Sequence, residues 1–189
     1  YFLLMEVYRL SKQKYAASLS GVGAAKEGAR WNSKGTEIIY TASNRSLAMA
    51  EVMVHSLPNV PRDYVMLTIF VPDRLSLRHL HETELPMDWN IFPHPSATKL
   101  LGDEFIQENK YCLLKVPSAT TKGDHNLLIN PFHPEFKDIK IVGVEPFPFD
   151  NRLFRIDSSP PMVDPLDLQQ QPSARLPKKS QKRQTKSKP

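Results

Sequence analysis

The 189-residue chain has a single cysteine, Cys112, which rules out an internal disulfide framework and any multi-cysteine metal site. It fits a reducing compartment. A catalytic thiol is conceivable on one cysteine. However, Lys110-Tyr111-Cys112-Leu113-Leu114-Lys115-Val116 reads as a strand, so Cys112 is read as a buried structural residue. No apolar run approaches the ~20 residues needed to span a bilayer. Tyr1-Phe2-Leu3-Leu4 is too short for a secretory core before Met5-Glu6, so residues 1–4 read as upstream sequence or a cloning remnant. The expectation is a cytoplasmic protein with no membrane association.

Chemistry-bearing motifs are also scarce. There is no phosphate-binding loop, and Gly21-Val22-Gly23 lacks the preceding strand of a dinucleotide fingerprint. A zinc-protease His-Glu-x-x-His and a Gly-x-Ser-x-Gly elbow are both missing. The six histidines are scattered, and the pair His79 and His81 has no third ligand nearby in sequence, so they read as surface residues.

Acidic residues are missing from one end. Residues 175–189 hold seven of the 25 Lys and Arg and none of the 20 Asp and Glu, which leaves 18 basic against 20 acidic residues in the rest. The net charge of +5 therefore describes a near-neutral body with a basic tail, not a basic nucleic-acid-binding domain. Residues 157–189 contain no aromatic and many Pro, Gln and Ser. Such a segment buries too little apolar surface to offset the entropy of ordering it, so 156–189 is expected to be disordered, with at most a transient helix around Val163–Leu168. Its basic cluster could attract nucleic acid, or it could simply be a solvated tail.

The body alternates in readable pieces. Glu6–Leu10, 37–42, 64–71, Cys112–Val116, Asn126–Ile129 and 139–146 read as strands. A helix is predicted after Ser43 or Asn44, with Leu47, Ala50, Val54 and Leu57 as its apolar stripe and Pro58 as its stop. A second is predicted over 96–109, capped by Ser96, with Ala97, Leu100, Leu101 and Phe105 buried. Residues 11–29 read as a flexible approach, and 74–95 as loops wrapping over the sheet. Several strands with two separate helices argue for an α+β fold with a mostly antiparallel sheet.

Against this frame stand Gly28-Ala29-Arg30-Trp31-Asn32, Ile39-Tyr40-Thr41-Ala42-Ser43 and Ala48-Met49-Ala50-Glu51-Val52. With Tyr8-Arg9-Leu10, Val116-Pro117-Ser118-Ala119 and Asn126-Leu127-Leu128-Ile129-Asn130-Pro131, they occur in an order that resembles the RES family, over residues 5–155. The resemblance matches Arg30, Glu51 and Ser118 to the Arg, Glu and Ser of the family's name. It implies an ADP-ribosyltransferase-like fold and a bacterial toxin with NAD⁺ as substrate; because nicotinamide is already a good leaving group, no metal is expected. It further implies a DNA-binding antitoxin that covers the active site in a hetero-oligomer, and either NAD⁺ breakdown or transfer of ADP-ribose to a protein acceptor.

The residue types suit that chemistry on their own terms. Cleaving the nicotinamide–ribose bond passes through an oxocarbenium-like state. The planar fork of Arg30 can hold pyrophosphate, Tyr40 offers a ring face to nicotinamide, and Glu51 can accept ribose hydroxyls and oppose the developing cation. Each has a blander alternative. Arg30 could be a surface arginine and Tyr40 a core tyrosine, while Glu51 could pair with Arg30 or Arg9 simply to pin its helix. Ser118 and Asn130 stand before or after prolines where turn formers are common. Arg9, Ser118, Asn130 and His55 are the expected substrate contacts, and Trp31 the expected packing anchor.

Overall fold

The computed structural model describes residues 5–56 and 59–154. The predicted disordered tail, residues 1–4, Leu57 and Pro58 lie outside the described residues. Seven strands run β1 Met5–Lys12, β2 Ile39–Ala42, β3 Tyr64–Val71, β4 Leu77–His79, β5 Leu113–Pro117, β6 His125–Ile129 and β7 Lys140–Pro146. They form one sheet in the order β4-β5-β6-β2-β1-β3-β7. Every pairing is antiparallel except β4 with β5. The expected α+β architecture with a mostly antiparallel sheet is therefore the one observed.

Strand alternation divides the core between the two sheet faces. Val7, Ile39, Val65, Leu67, Ile69, Leu113, Leu127 and Ile129 point to one face, where Ala16, Leu75 and Cys112 join them. On the other face lie two separate clusters. Leu114, Val116 and Leu128 pack with Trp31, Trp89 and Phe105, and Leu10, Ala42 and Met66 pack with Leu47 and Ala48. The helices over this second face are α2 Arg45–Ser56 and α3 Ser96–Glu108, preceded by a short α1 Val22–Glu27.

Three local expectations are corrected. The segment read as a flexible approach contains α1, anchored at Gly21, where a Cβ would stand 2.8 Å from the Ile38 amide nitrogen. The loop region contains β4, a short strand that no alternation marks. In α3, Ser96 makes no cap and Leu100 is 57% exposed, because the face that packs is Thr98, Gly102 and Phe105. The cap of α2 is Asn44, whose Oδ1 accepts from the Leu47 amide at 2.8 Å.

Between the two clusters of the second face, the sheet loosens. β1 and β3 share eight register pairs, whereas β1 and β2 share one, Tyr8 opposite Ala42. Beyond that pair the two strands form no ladder, and Arg9, Leu10 and Ser11 of β1 and Tyr40 and Thr41 of β2 line a cavity of about 1140 Å³.

Candidate active site

The cavity is walled by the β1–β2 opening with Tyr64 and Asn126 of the neighbouring strands, by α1 and the Ala29–Trp31 segment, by α2, by the turn after β5 and by the Phe92–His94 loop. On α2, Ala48, Glu51, Val52 and His55 recur at helical spacing and all line it. This corrects the predicted stripe of Leu47, Ala50 and Val54. Leu47 is buried as expected, but Val54 is 54% exposed at the cavity edge beside His55, and Ala48, Glu51 and Val52 turn to the cavity with them.

Glu51 is held from three directions. Asn126 Nδ2 donates to Oε1 at 2.8 Å, Thr120 Oγ1 to Oε2 at 3.1 Å and Ser118 Oγ to Oε1 at 3.4 Å. Ser118 Oγ in turn accepts from the amides of Thr120 and Thr121 at 3.1 and 3.0 Å, which fixes the turn that carries Thr120. Neutral donors, not a cation, therefore hold the carboxylate. Among the described residues no ion pair joins Glu51 to Arg30 or Arg9, so the helix-pinning salt bridge is not formed. An anion held by neutral donors keeps its field available to a positive charge in the cavity.

Arg30 donates through Nη1 to the carbonyls of Trp89 and Ile91 at 2.6 and 3.0 Å. That anchors one edge of the fork, and the guanidinium retains further N–H groups for an anion. Burial draws Arg30 below its ordinary value, opposed by the fields of Glu51 and Tyr40, and the group stays cationic. Arg9 donates to the Ser20 carbonyl at 3.1 Å and also lines the cavity, its charge made costlier by burial. His94 supplies a polar ring to the same wall. Burial, then Arg30, hold its imidazole below the ordinary value, so it faces the cavity uncharged at neutral pH.

Tyr40 is fixed at its hydroxyl. It donates to Asn32 Oδ1 at 2.7 Å and accepts from the Trp31 amide at 3.1 Å. Burial raises the phenol far above its ordinary value, so it stays protonated and contributes its ring. Fully buried Asn32 gives its amide hydrogens to the carbonyls of Ala24, Ser33 and Thr36, and Asp103 on α3 accepts from the Ser33 amide at 2.9 Å. This network sets the Arg30–Asn32 segment between α1 and α3. Tyr40→Phe would leave the buried Asn32 oxygen and Trp31 amide without that partner. A loss of about 1–3 kcal/mol is expected, measured as a shift of the urea midpoint at unchanged slope.

Most of the predicted site residues are thus brought together. Arg9, Arg30, Tyr40, Glu51 and His55 line the cavity, and Ser118 bonds Glu51 from behind. Asn130 is not brought there. It is fully buried past the end of β6, where its Nδ2 donates to Asn109 and its Oδ1 accepts from the Phe132 amide, the turn role that its neighbour Pro131 suggested. Thr120, Asn126 and His94 were missed. Asn126 and Thr120 stand inside or next to motif fragments, but only the fold brings them to Glu51. Trp31 is the expected anchor, 2% exposed, with its ring centroid 6.2 Å from that of Trp89.

Cys112 is wholly buried, and burial first, then Glu135 and Asp138, push its thiol up to about 12. It also lies outside the cavity, so it takes no part in that site. No helix among the described residues is long and apolar enough to cross a membrane.

The RES domain family profile matches residues 6–150. The chain belongs to the RES family. Among its relatives, the Prs ADP-ribosylating toxin of Sphingobium sp. (strain YBL2) is 37% identical over 143 residues, covering 74% of this chain and 89% of the relative. Toxin Res of Yersinia enterocolitica is 35% identical over 153 residues, covering 79% and 99%. A chain of the crystal structure of the M. tuberculosis MbcT–MbcA toxin–antitoxin complex superposes with a TM-score of 0.64 at 20% identity, over 81% of this chain and 88% of that one. That likeness is one of fold, and it matches the α+β sheet of this RES domain.

Proposed function

We propose that this RES-domain protein is the toxin of a toxin–antitoxin pair and cleaves the nicotinamide–ribose bond of NAD⁺, with water or phosphate as acceptor. The observation that carries the reading is Glu51. It is a carboxylate with no ion-pair partner among the described residues, held by Asn126, Thr120 and Ser118 on a cavity that also presents two arginines and an aromatic ring.

In this reading Arg30, with Arg9, takes the pyrophosphate, and the Tyr40 ring meets the nicotinamide. Glu51 accepts the ribose hydroxyls and opposes the positive charge that grows on the ribose as the glycosidic electron pair leaves with nicotinamide. Water then attacks the same carbon and releases a proton, or phosphate attacks and leaves ADP-ribose 1-phosphate. Nicotinamide leaves as a neutral molecule, so the step requires neither a strong acid nor a metal.

A second reading keeps the site and changes the acceptor to a protein side chain. It is favoured by the Sphingobium relative, which is named an ADP-ribosylating toxin. Purified chain incubated with NAD⁺ labelled in the adenylate part, with and without phosphate and cell lysate, separates the two. Soluble labelled ADP-ribose or its phosphate, with free nicotinamide, supports the first, and a labelled protein band supports the second. No NAD⁺ loss from a folded sample in any arm refutes both.

The antitoxin is proposed as a DNA-binding partner that covers the cavity in a hetero-oligomer, as the resemblance implies. Met87, Ile91 and Phe92 are 103%, 49% and 79% exposed, and Phe92 stands on the cavity wall, which offers apolar surface to such a cover. A tight complex that leaves turnover intact would contradict this arrangement.

A non-catalytic module binding nucleic acid through the basic tail makes a different prediction. With residues 157–189 deleted, NAD⁺ turnover is expected to persist within about twofold, and any salt-sensitive nucleic-acid binding to disappear. Turnover lost with the tail, in a chain that still folds, would move the function out of the cavity.

A further inference from the structure

The proposed NAD⁺ chemistry leaves one cluster of side chains unused. Cys112 Sγ, a ring nitrogen of His133 and a carboxylate oxygen of Glu135 lie within 4.8 Å of one another. None of the three lines the cavity. Cys112 is fully buried immediately before β5, the His133 side chain is 11% exposed and that of Glu135 35%. The three come from two segments, Cys112 and the turn His133-Pro134-Glu135.

We propose that Cys112, His133 and Glu135 bind a single zinc-class divalent cation, with water completing the coordination. The donor set is the reason for the metal class. One thiolate, one imidazole and one carboxylate make a mixed set that suits Zn²⁺ or Co²⁺, whereas Mg²⁺ and Ca²⁺ select oxygen cages. Thiolate and carboxylate together balance two positive charges, and the thiol proton is released as the ion binds.

The surroundings hold the donors in place, as outer partners do at metal sites. The Ser76 amide and hydroxyl both donate to Glu135 Oε2, the former at 2.9 Å, and Ser76 Oγ accepts from the Cys112 amide at 2.9 Å. One serine thus ties both ligand-bearing segments together. The Asn130 amide donates to the Cys112 carbonyl at 2.9 Å, and Asn130 Oδ1 accepts from Phe132, which sets the approach to His133.

These hydrogen bonds fix the turn without any thiol. His133 Nδ1 accepts from the Glu135 amide at 3.3 Å, the cap of this turn, and lies 3.5 Å from its carboxylate, so an ion taken at Nδ1 would replace the cap bond and one taken at Nε2 would keep it. The ion would clamp the β6–β7 connection to the start of β5, a stabilising role separate from NAD⁺ turnover.

The test is a Zn²⁺ titration of the chelator-stripped full chain, with Co²⁺ as a spectroscopic probe and Cys112→Ser, Glu135→Gln and His125→Asn beside the parent. His125 serves as control because its ring lies 5.6 Å from that of His79, itself 4.0 Å from His81, so this surface trio is the rival site. About one equivalent of Zn²⁺ is expected, with a near-ultraviolet thiolate-to-cobalt band. Cys112→Ser should abolish the band and weaken binding by at least about a hundredfold, while His125→Asn binds like the parent. If Cys112→Ser does not fold, Glu135→Gln decides by the same loss of affinity. A parent that binds no stoichiometric metal, shows no thiolate band, or loses its metal in His125→Asn would overturn the proposal.

Discussion

Glu51→Gln is expected to lower NAD⁺ consumption by about a hundredfold or more while leaving the fold intact. Removing one preorganised charge or donor from a reacting centre costs on the order of 10²–10³ in rate. Here the field of a full negative charge is lost at the ribose. The amide keeps the shape of the side chain: its oxygen can still accept from Asn126, which donates to Oε1 at 2.8 Å, and its NH2 group would donate to the Thr120 hydroxyl, which donates to Oε2 at 3.1 Å in the parent. The melting temperature should therefore fall by no more than a few degrees.

Because the ribose is fully charged only in the transition state, the loss should appear in kcat with KM little changed. Glu51→Asp is the sharper companion. It keeps the charge but withdraws it by one methylene from Asn126, and misplacement on this scale can itself cost about 10²-fold. A Gln variant that turns over NAD⁺ like the parent would remove Glu51 from the chemistry. The Arg30–Tyr40 side of the cavity would then have to carry the reaction alone.

What the sequence made legible follows from the range of the forces involved. β3 could be read to the residue, because Tyr64–Val71 is a continuous β-forming run whose placement needs no partner. A cap at Ser43 or Asn44 was readable because a capping bond spans only about three residues, and it is Asn44 that makes it, to Leu47. Glu51 stood out as a carboxylate beside an apolar stripe. The identity of that stripe was misjudged, because the helix packs Leu47 and Ala48 and turns 51, 52 and 55 to a cavity. Only the β1–β2 divergence creates that cavity.

Asn126 and Thr120 reach Glu51 across sequence separations of 75 and 69 residues. Asn130, four residues beyond Asn126, is removed from the site by the length of the strand. The three-residue β4 pairs in parallel with β5, and its order is imposed by that neighbour, not by its own alternation. The His133–Glu135 turn likewise meets Cys112 only through tertiary folding.

The largest effect on stability is expected from the smallest change, Gly102→Ala. Gly102 is buried on the face of α3 that meets the Trp31 backbone. A Cβ there would overlap the Trp31 carbonyl oxygen, approach its carbonyl carbon to 2.7 Å and the Ile38 Cδ1 to 3.2 Å. In an unencumbered helix the same substitution stabilises by about 1 kcal/mol, because alanine has the higher helix propensity. The collision opposes this with backbone, which cannot swing aside as a side chain can. Overpacking costs about 1–3 kcal/mol even where side chains yield, so the net loss should reach at least about 3 kcal/mol, or roughly 6–12 °C in melting temperature.

Gly23 provides the control. It lies in α1, where a Cβ would meet nothing within 4 Å, and Gly23→Ala should be neutral or slightly stabilising. The displacement at Gly102 should also reach the site. Moving Trp31 shifts Arg30, whose Nη1 is seated on the Trp89 and Ile91 carbonyls, and loosens the Trp31 amide bond to Tyr40. NAD⁺ turnover measured well below the lowered melting temperature should therefore fall together with stability. A Gly102→Ala protein as stable as the parent would mean that α3 can retreat from Trp31 without cost. Stability lost with turnover intact would mean that the seat of Arg30 does not depend on this contact.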